Sequence, residues 1–151
     1  ALTSLDIVGR NGIVLKDQWA KGAKSYLGLG VSNFPNLFTI TGPGSPSVLS
    51  NMMPSIEQHV NWIAECIGWM IDNNKSVIET STAAEEEWME LVNEIAGMTI
   101  FKSTESWYNG SNIEDKAKAF LPFIGVPVYT EKLEEITSNN YQGFIFDVSN
   151  K

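Results

Sequence analysis

The residues best suited to ligand chemistry form a loop that joins an apolar segment to a predicted helix. Residues 37–40 have the pattern of a short strand, the loop contains Gly42, Pro43 and Gly44, and helix signals begin at Pro54. In α/β proteins, ligands bind beyond the carboxyl ends of strands and face the amide groups of helix N-termini. Glycine lets a planar ligand approach the backbone, and a helix start adds unpaired N–H groups. The loop therefore predicts a ligand site, and a structural turn stiffened by proline is the alternative.

Two further segments combine polar and apolar side chains. Ser47-Val48-Leu49-Ser50 follows the Gly/Pro loop directly and also has the composition of a plain connector. Farther along the chain, Trp107 and Tyr108 precede Asn109-Gly110-Ser111-Asn112. An indole is more often part of a core. Two aromatic residues followed by small polar ones are nevertheless more typical of a ligand-facing loop.

Composition excludes several classes of function. The 151 residues carry a formal net charge of -8 with a pI of about 4.6, which disfavours nucleic acid and anionic membranes as partners. One cysteine, Cys66, and one histidine, His59, argue against a disulfide or a structural zinc site. Ile63 and Ile67 beside Cys66 predict a buried, inert thiol. Without an apolar run of membrane-spanning length or an export signal, we expect no membrane contact and a cytoplasmic protein.

Three main helices and several short strands are predicted to position these loops. The first helix covers about 54–72, with Ser55 and Gln58 in the spacing of a capping box. The second covers about 83–97, with a capping box at Thr82 and Glu85, and the third covers about 131–137. The apolar stripe of the first helix is predicted at Ile56, Val60, Ile63, Ile67 and Met70, and that of the second at Trp88, Leu91, Val92 and Ile95.

The strand signals are shorter and more scattered than the helix signals. They lie at 36–41, 118–124 and 143–147, and two more short strands flank a turn at Arg10-Asn11-Gly12. The mixture predicts an α/β or α+β fold without a clear internal domain boundary, so residues 1–151 are treated as one unit.

These motifs closely resemble the C-terminal part of Baeyer–Villiger monooxygenases, which use FAD and NADPH to insert oxygen next to a ketone carbonyl. The resemblance runs from residue 6 to residue 144. Its main motifs are Asn33-Phe34-Pro35-Asn36-Leu37-Phe38, Gly42-Pro43-Gly44-Ser45-Pro46, Ser55-Ile56-Glu57-Gln58, Ser106-Trp107 with Asn112, and Tyr141-Gln142-Gly143-Phe144. It implies the C-terminal part of an α/β flavoprotein with two dinucleotide-binding domains, in which this segment completes the FAD-binding domain.

The resemblance also implies roles for individual residues. Cofactor contacts are implied for two groups, one at the flavin and one at NADP. The flavin group is Gly42, Pro43, Asn51, Met52 and Met53, and the NADP group is Trp107 and Asn112. A third group lines the pocket of a small ketone substrate, and it comprises Ser47, Val48, Leu49, Ser50 and Leu121.

Features that the whole reaction needs are missing from the sequence. There is no GxGxxG fingerprint and no family histidine motif, and the only arginine, Arg10, lies in the predicted hairpin turn. We therefore expect a fragment without catalytic residues or a metal site, whose partners are the missing N-terminal FAD and NADP domains. An uncovered apolar face would then make the isolated chain self-associate. The alternatives are a flavin monooxygenase that oxidises nitrogen or sulfur, and a stand-alone, non-catalytic binding or assembly module.

Overall fold

The computed structural model describes residues 2–46, 51–97 and 125–148. These residues form four α-helices, a two-stranded sheet and two short 3-10 turns. In chain order the helices and strands are α1 (Leu15–Gln18), α2 (Met52–Asp72), β1 (Lys75–Thr80), α3 (Thr82–Gly97), α4 (Val126–Ser138) and β2 (Phe144–Val148). The predicted α/β class and its three main helices are confirmed, while the predicted strand at 118–124 lies outside the described residues.

The sheet pairs β1 with β2 in antiparallel register, with Ile78 opposite Phe146 and Thr80 opposite Phe144. β2 confirms the strand predicted at 143–147, whereas β1 was missed by the sequence analysis. Asn36 covers the other edge of β1, because its N–H donates to the Ile78 carbonyl and its Oδ1 accepts from the Ile78 N–H, at 2.9 and 3.0 Å.

The strand predicted at 36–41 is wrong. Asn36 and Thr41 have φ angles of 58° and 51°, which no regular strand tolerates. Only Phe38 of this segment forms a bridge, with Gly30. The turn predicted at Arg10-Asn11-Gly12 is present, with positive φ at Asn11 and Gly12, but its flanks form a single bridge between Val8 and Val14 instead of two strands.

The main core lies between α2, α3, α4 and the loop that precedes α2. Its fully or nearly fully buried members include Leu27, Leu29, Trp62, Cys66, Met70, Trp88, Val92, Tyr129, Leu133 and Ile136. Tilted and edge-on aromatic contacts connect this core to β2, and Trp62 contacts Phe144 with ring centroids 5.5 Å apart. A smaller cluster of Leu15, Trp19, Val31 and Phe34 holds the N-terminal part of the chain.

The predicted apolar stripe of α2 is wrong at Val60 and Ile67, whereas Ile63 is partly buried and packs against the core. Of its five members only Met70 is buried, while Val60 and Ile67 are exposed. The face that α2 turns into the described core carries instead Ser55, His59, Trp62, Cys66 and Met70. The more polar and aromatic of two possible helix faces is therefore the one that the described residues cover.

Both predicted capping boxes are also wrong. α2 begins at Met52 and is capped by Asn51, whose Oδ1 accepts from the Met53 N–H at 3.1 Å. Ser55 lies inside the helix, and its buried hydroxyl has no hydrogen-bond partner among the described residues. α3 is capped by the Ser81 hydroxyl, which accepts from the Ala84 N–H.

The second predicted box fails because Glu85 has another function. Its side chain is buried, and its two carboxylate oxygens accept from the N–H and the hydroxyl of Ser32 at 2.9 and 2.7 Å. This pair connects α3 to the loop before α2. The buried Trp88 and Val92 and the partly buried Ile95 confirm the rest of the predicted α3 pattern, although Leu91 is exposed.

Glu85→Ala should lower the free energy of unfolding by about 1–3 kcal/mol, because it leaves the buried Ser32 N–H and hydroxyl unpaired. The measurement is urea unfolding followed by circular dichroism. Glu86→Ala, one position along the same helix and exposed, is the matched control and should change stability by less than about 0.5 kcal/mol. Equal effects of the two variants would contradict the structural role of the Glu85 carboxylate.

Candidate functional site

The Gly/Pro loop is packed closely against an earlier turn of the chain. The Gly42 N–H donates to the Gly28 carbonyl at 3.0 Å, and the Thr39 hydroxyl donates to the same carbonyl at 2.8 Å. A Cβ added at Gly42 would lie 2.4 Å from the Thr39 hydroxyl and 2.7 Å from the Gly28 oxygen. Glycine is thus required at position 42 by packing within the protein, before any ligand is considered.

The carbonyl groups of the loop point to donors of the protein. The Gly42 carbonyl accepts from the Ser45 hydroxyl, the Pro43 carbonyl from the Ser25 hydroxyl, and the Gly44 carbonyl from the Trp88 indole N–H at 3.1 Å. Gly44 has a φ of 81°, which favours glycine. Because these bonds fix the loop from the inside, its half-exposed outer surface at Gly42 and Pro43 is held in one shape before any ligand binds.

A buried histidine connects this loop to α2 and α4. The Thr41 N–H donates to His59 Nδ1 at 2.9 Å, His59 Nε2 lies 2.8 Å from the Tyr129 hydroxyl oxygen, and that hydroxyl donates to the Leu27 carbonyl at 2.6 Å. Since the Tyr129 proton points to Leu27, the Tyr129 oxygen is free to accept from Nε2–H. Both ring nitrogens of a neutral His59 are then satisfied, with the proton on Nε2.

Electrostatics keep this imidazole neutral. Burial lowers the pKa of His59 from 6.5 to about 4, because desolvation disfavours the charged ring. Protonation would also direct an Nδ1–H at the Thr41 N–H. Burial likewise raises the pKa of Tyr129 and raises the pKa of the Cys66 thiol to about 12. Cys66 is fully buried, which confirms its predicted burial.

The predicted flavin-side residues of α2 occupy the very start of the helix. Asn51 is its N-cap, Met53 is largely exposed, and no acidic residue lies in the first turn. The partial positive charge of the helix N-terminus is therefore not neutralised by a carboxylate of this turn. The Thr41–His59 bond fixes the Gly/Pro loop to the same helix about two turns further on.

Seven of the predicted site residues lie outside the described residues. They are Ser47, Val48, Leu49, Ser50, Trp107, Asn112 and Leu121. Conversely, sequence reasoning missed the roles of His59 and Tyr129. The spacing of His59 with Trp62, Cys66 and Met70 on one helix face was the available signal, because three of these four residue types commonly occupy cores.

The described residues contain neither a metal-binding cluster nor a membrane-spanning helix. No group of three or more His, Cys, Asp or Glu side chains in residues 2–46, 51–97 and 125–148 could hold a metal ion. Within the same ranges, no helix combines the length and the apolar character that crossing a membrane requires.

Comparison with known proteins identifies a consistent set of relatives. No protein-family model matches the chain. A phenazine N-monooxygenase of Lysobacter antibioticus is 41% identical over 142 residues, which cover 93% of this chain and 26% of that protein. A cyclohexanone 1,2-monooxygenase of an Acinetobacter species is 38% identical over 141 residues, with the same two coverages. A Baeyer–Villiger monooxygenase of Pseudooceanicola batsensis is 35% identical over 144 residues, covering 95% of this chain and 26% of the relative.

Solved structures agree with these sequence matches. Cyclohexanone monooxygenase from Rhodococcus sp. Phi1 bound to NADP+ superposes with a TM-score of 0.93 at 34% identity, covering 98% of this chain and 28% of the other. The OTEMO complex with FAD and NADP gives a TM-score of 0.86 at 31% identity, covering 95% and 26%. The resemblance to Baeyer–Villiger monooxygenases is thus confirmed, and the chain spans about a quarter of the length of the relatives it matches.

The buried imidazole should make stability depend on pH. Because the pKa of His59 is about 4 in the folded protein and 6.5 when unpacked, the unfolded chain binds the extra proton first. The contribution of the neutral His59 to the free energy of unfolding is therefore fully present above about pH 6.5 and is lost as the pH falls towards 4. It amounts to about 3 kcal/mol. Urea unfolding at several pH values between 7.5 and 4.5 measures it.

His59→Gln is the matched variant for this titration. Glutamine offers one acceptor and one donor but does not titrate, so its stability should change much less between pH 7 and pH 5. Because His59 is the single histidine of the chain, no other imidazole titrates between pH 7 and pH 5. The same pH dependence in both proteins would contradict a buried, neutral His59.

Proposed function

We propose that this chain is a segment of an FAD- and NADPH-dependent monooxygenase that inserts one oxygen atom of O2 next to a ketone carbonyl. The observation that carries the proposal is the match to cyclohexanone monooxygenase, with a TM-score of 0.93 over 98% of the chain. The segment completes the FAD-binding domain and forms contacts at the flavin edge, in the ketone pocket and at NADP.

The described residues fit a flavin on two counts. The Gly/Pro loop is held from within by bonds from Ser25, Ser45 and Trp88 to its carbonyl groups, so a ligand meets a preorganised surface. The start of α2 presents a helix terminus without a neutralising acid, which suits the electron-rich edge of an isoalloxazine ring. When bound, the flavin supplies the redox chemistry and the activation of O2.

The residues of this chain bind and position in this proposal. Gly42 and Pro43 form the rigid loop beside the flavin. Asn51 shapes the first turn of α2 by accepting from the Met53 N–H, and Met52 and Met53 lie at the ring edge. None of these side chains transfers a proton.

The remaining assignments follow from the family resemblance. Trp107 and Asn112 contact NADP, and the ketone pocket is lined by Ser47, Val48, Leu49, Ser50 and Leu121. The substrate is a small ketone, whose apolar body suits the aliphatic members of this set.

A second candidate is the oxidation of an aromatic nitrogen. The phenazine N-monooxygenase is 41% identical to this chain, against 38% for the cyclohexanone enzyme, over almost equal lengths. The atom that is oxidised depends on the substrate held by the pocket, so one flavin-side scaffold is compatible with either reaction.

The test uses the full-length polypeptide encoded with this segment. We expect it to bind FAD, to oxidise NADPH and to convert cyclohexanone into a lactone that carries one oxygen atom from ¹⁸O2. Phenazine is the competing substrate, and formation of its N-oxide alone would favour the second candidate. The isolated 151-residue chain should be colourless, because most FAD contacts lie outside it. A full-length protein without flavin absorbance would contradict the proposal and favour the stand-alone module.

Leu49→Ala in the full-length enzyme should shift specificity towards bulkier ketones. Removing a few methylene groups from an apolar pocket changes discrimination by about 1–3 kcal/mol, whereas the rate of flavin reduction by NADPH should barely change. The measurement is the ratio of kcat/KM for a large and a small ketone. A wild-type ratio in a folded, flavin-containing variant would make residues 47–50 a connector.

A further inference from the structure

α2 has a second apolar face that nothing in the described chain covers. Met53, Val60, Ile67 and Ile71 are 61%, 45%, 43% and 69% exposed. Their positions are separated by seven, seven and four residues, so they lie along one side of the helix for most of its length. We call these four residues, with the neighbouring Gly68, the outer face of α2.

One buried face is usually enough for a helix at the surface of a globular domain. α2 already has such a face, because His59, Trp62, Cys66 and Met70 are buried in the described core. A helix that is apolar on both sides is typical of the interior of a larger protein. The apolar spacing of Val60 and Ile67 therefore indicates a second face that is buried in a larger protein, although both side chains are exposed among the described residues.

Gly68 is a second and independent sign of a missing neighbour. It lies inside α2, where glycine weakens a helix relative to alanine. A Cβ added at Gly68 would meet nothing within 4 Å, so no contact within the described chain requires glycine there. Glycine on a helix surface allows another backbone to approach closely. Ala64, one turn earlier, is also small and exposed, so the two residues together leave room for a neighbouring backbone.

The charge of the chain disfavours a second copy as the occupant. Each copy carries a formal net charge of -8, and α2 contains Glu57, Glu65 and Asp72 but no lysine or arginine. Two outer faces packed together would bring these carboxylates close to each other. By contrast, the relatives contain about three quarters of their length outside the matched segment.

We propose that the outer face of α2 docks onto the remaining part of the monooxygenase polypeptide, at an apolar surface bordered by basic side chains opposite Glu57 and Glu65. This inference rests on the proposed function. It assigns Gly68 the role of a contact point for the partner backbone, and it explains why the more apolar side of α2 is the one left uncovered.

Thiol labelling tests the proposal, because the native Cys66 is buried and its thiol is inert. Val60→Cys is prepared in the 151-residue chain and in the full-length encoded polypeptide, and its reaction with a maleimide is timed in both. We expect labelling at least tenfold slower in the full-length protein. Glu86→Cys, at an exposed position of α3 outside the proposed contact, is the control and should react at similar rates in both.

Gly68→Leu tests the same face, because it should change the melting temperature in opposite directions in the 151-residue chain and in the full-length protein. Leucine is a good helix former and has open space at this position, so the melting temperature of the 151-residue chain should stay the same or rise. In the full-length protein the added side chain should clash with the docked partner, lower the melting temperature by several degrees and reduce flavin content.

Three results would overturn the proposal in distinguishable ways. If Val60→Cys and Glu86→Cys label equally fast in a full-length protein that binds flavin, the docking surface is wrong and the proposed function stands. If Val60→Cys becomes protected in the 151-residue chain as its concentration rises, but stays reactive in the full-length protein, the occupant is a second copy. If the full-length protein contains no flavin, the proposed function fails, and the occupant proposed here fails with it.

Discussion

A single neutral imidazole connects the segments that build the candidate site. His59 joins the Gly/Pro loop through the Thr41 N–H, and it joins α4 through the Tyr129 hydroxyl. Tyr129 in turn fixes the earlier turn at Leu27. Four stretches that are far apart in sequence thus share one chain of hydrogen bonds. Because Leu27, His59 and Tyr129 are fully buried, their donors and acceptors have to be matched inside the protein, and this requirement helps to fix the loop conformation.

The region before α2 depends on such polar contacts because it contains little regular structure. The buried Glu85 carboxylate holds Ser32, and the Gly28 carbonyl accepts from both the Thr39 hydroxyl and the Gly42 N–H. Backbone groups that would pair within a sheet are satisfied here by a mixture of side chains and irregular backbone contacts. The result is an irregular but fully packed platform, and the outer surface of the Gly/Pro loop and the start of α2 remain available to a ligand.

Prediction from sequence succeeded where the signal was local. The three main helices, β2 and the Asn11-Gly12 turn were found because helical spacing and Asn-Gly chemistry depend on neighbours in sequence. β1 and the face of α2 were missed because partners far along the chain decide them. Glu85 matched a capping box by spacing, yet its carboxylate reaches Ser32. Of the candidate site, the Gly/Pro loop and the helix that follows it could be predicted from sequence, and the His59–Tyr129 link could not, since no local rule predicts a contact across seventy residues.

At three glycines even a single added Cβ atom would collide with another part of the fold. The nearest contacts of this atom would be 2.4 to 2.7 Å at Gly28, Gly42 and Gly143. Substitution at these positions is penalised by packing alone, independently of any substrate. A pattern search built on the loop glycines would consequently retrieve proteins that share a scaffold, and it would group ketone and nitrogen oxidisers together. Within such a group, substrate preference is better sought at positions where several side chains are sterically allowed.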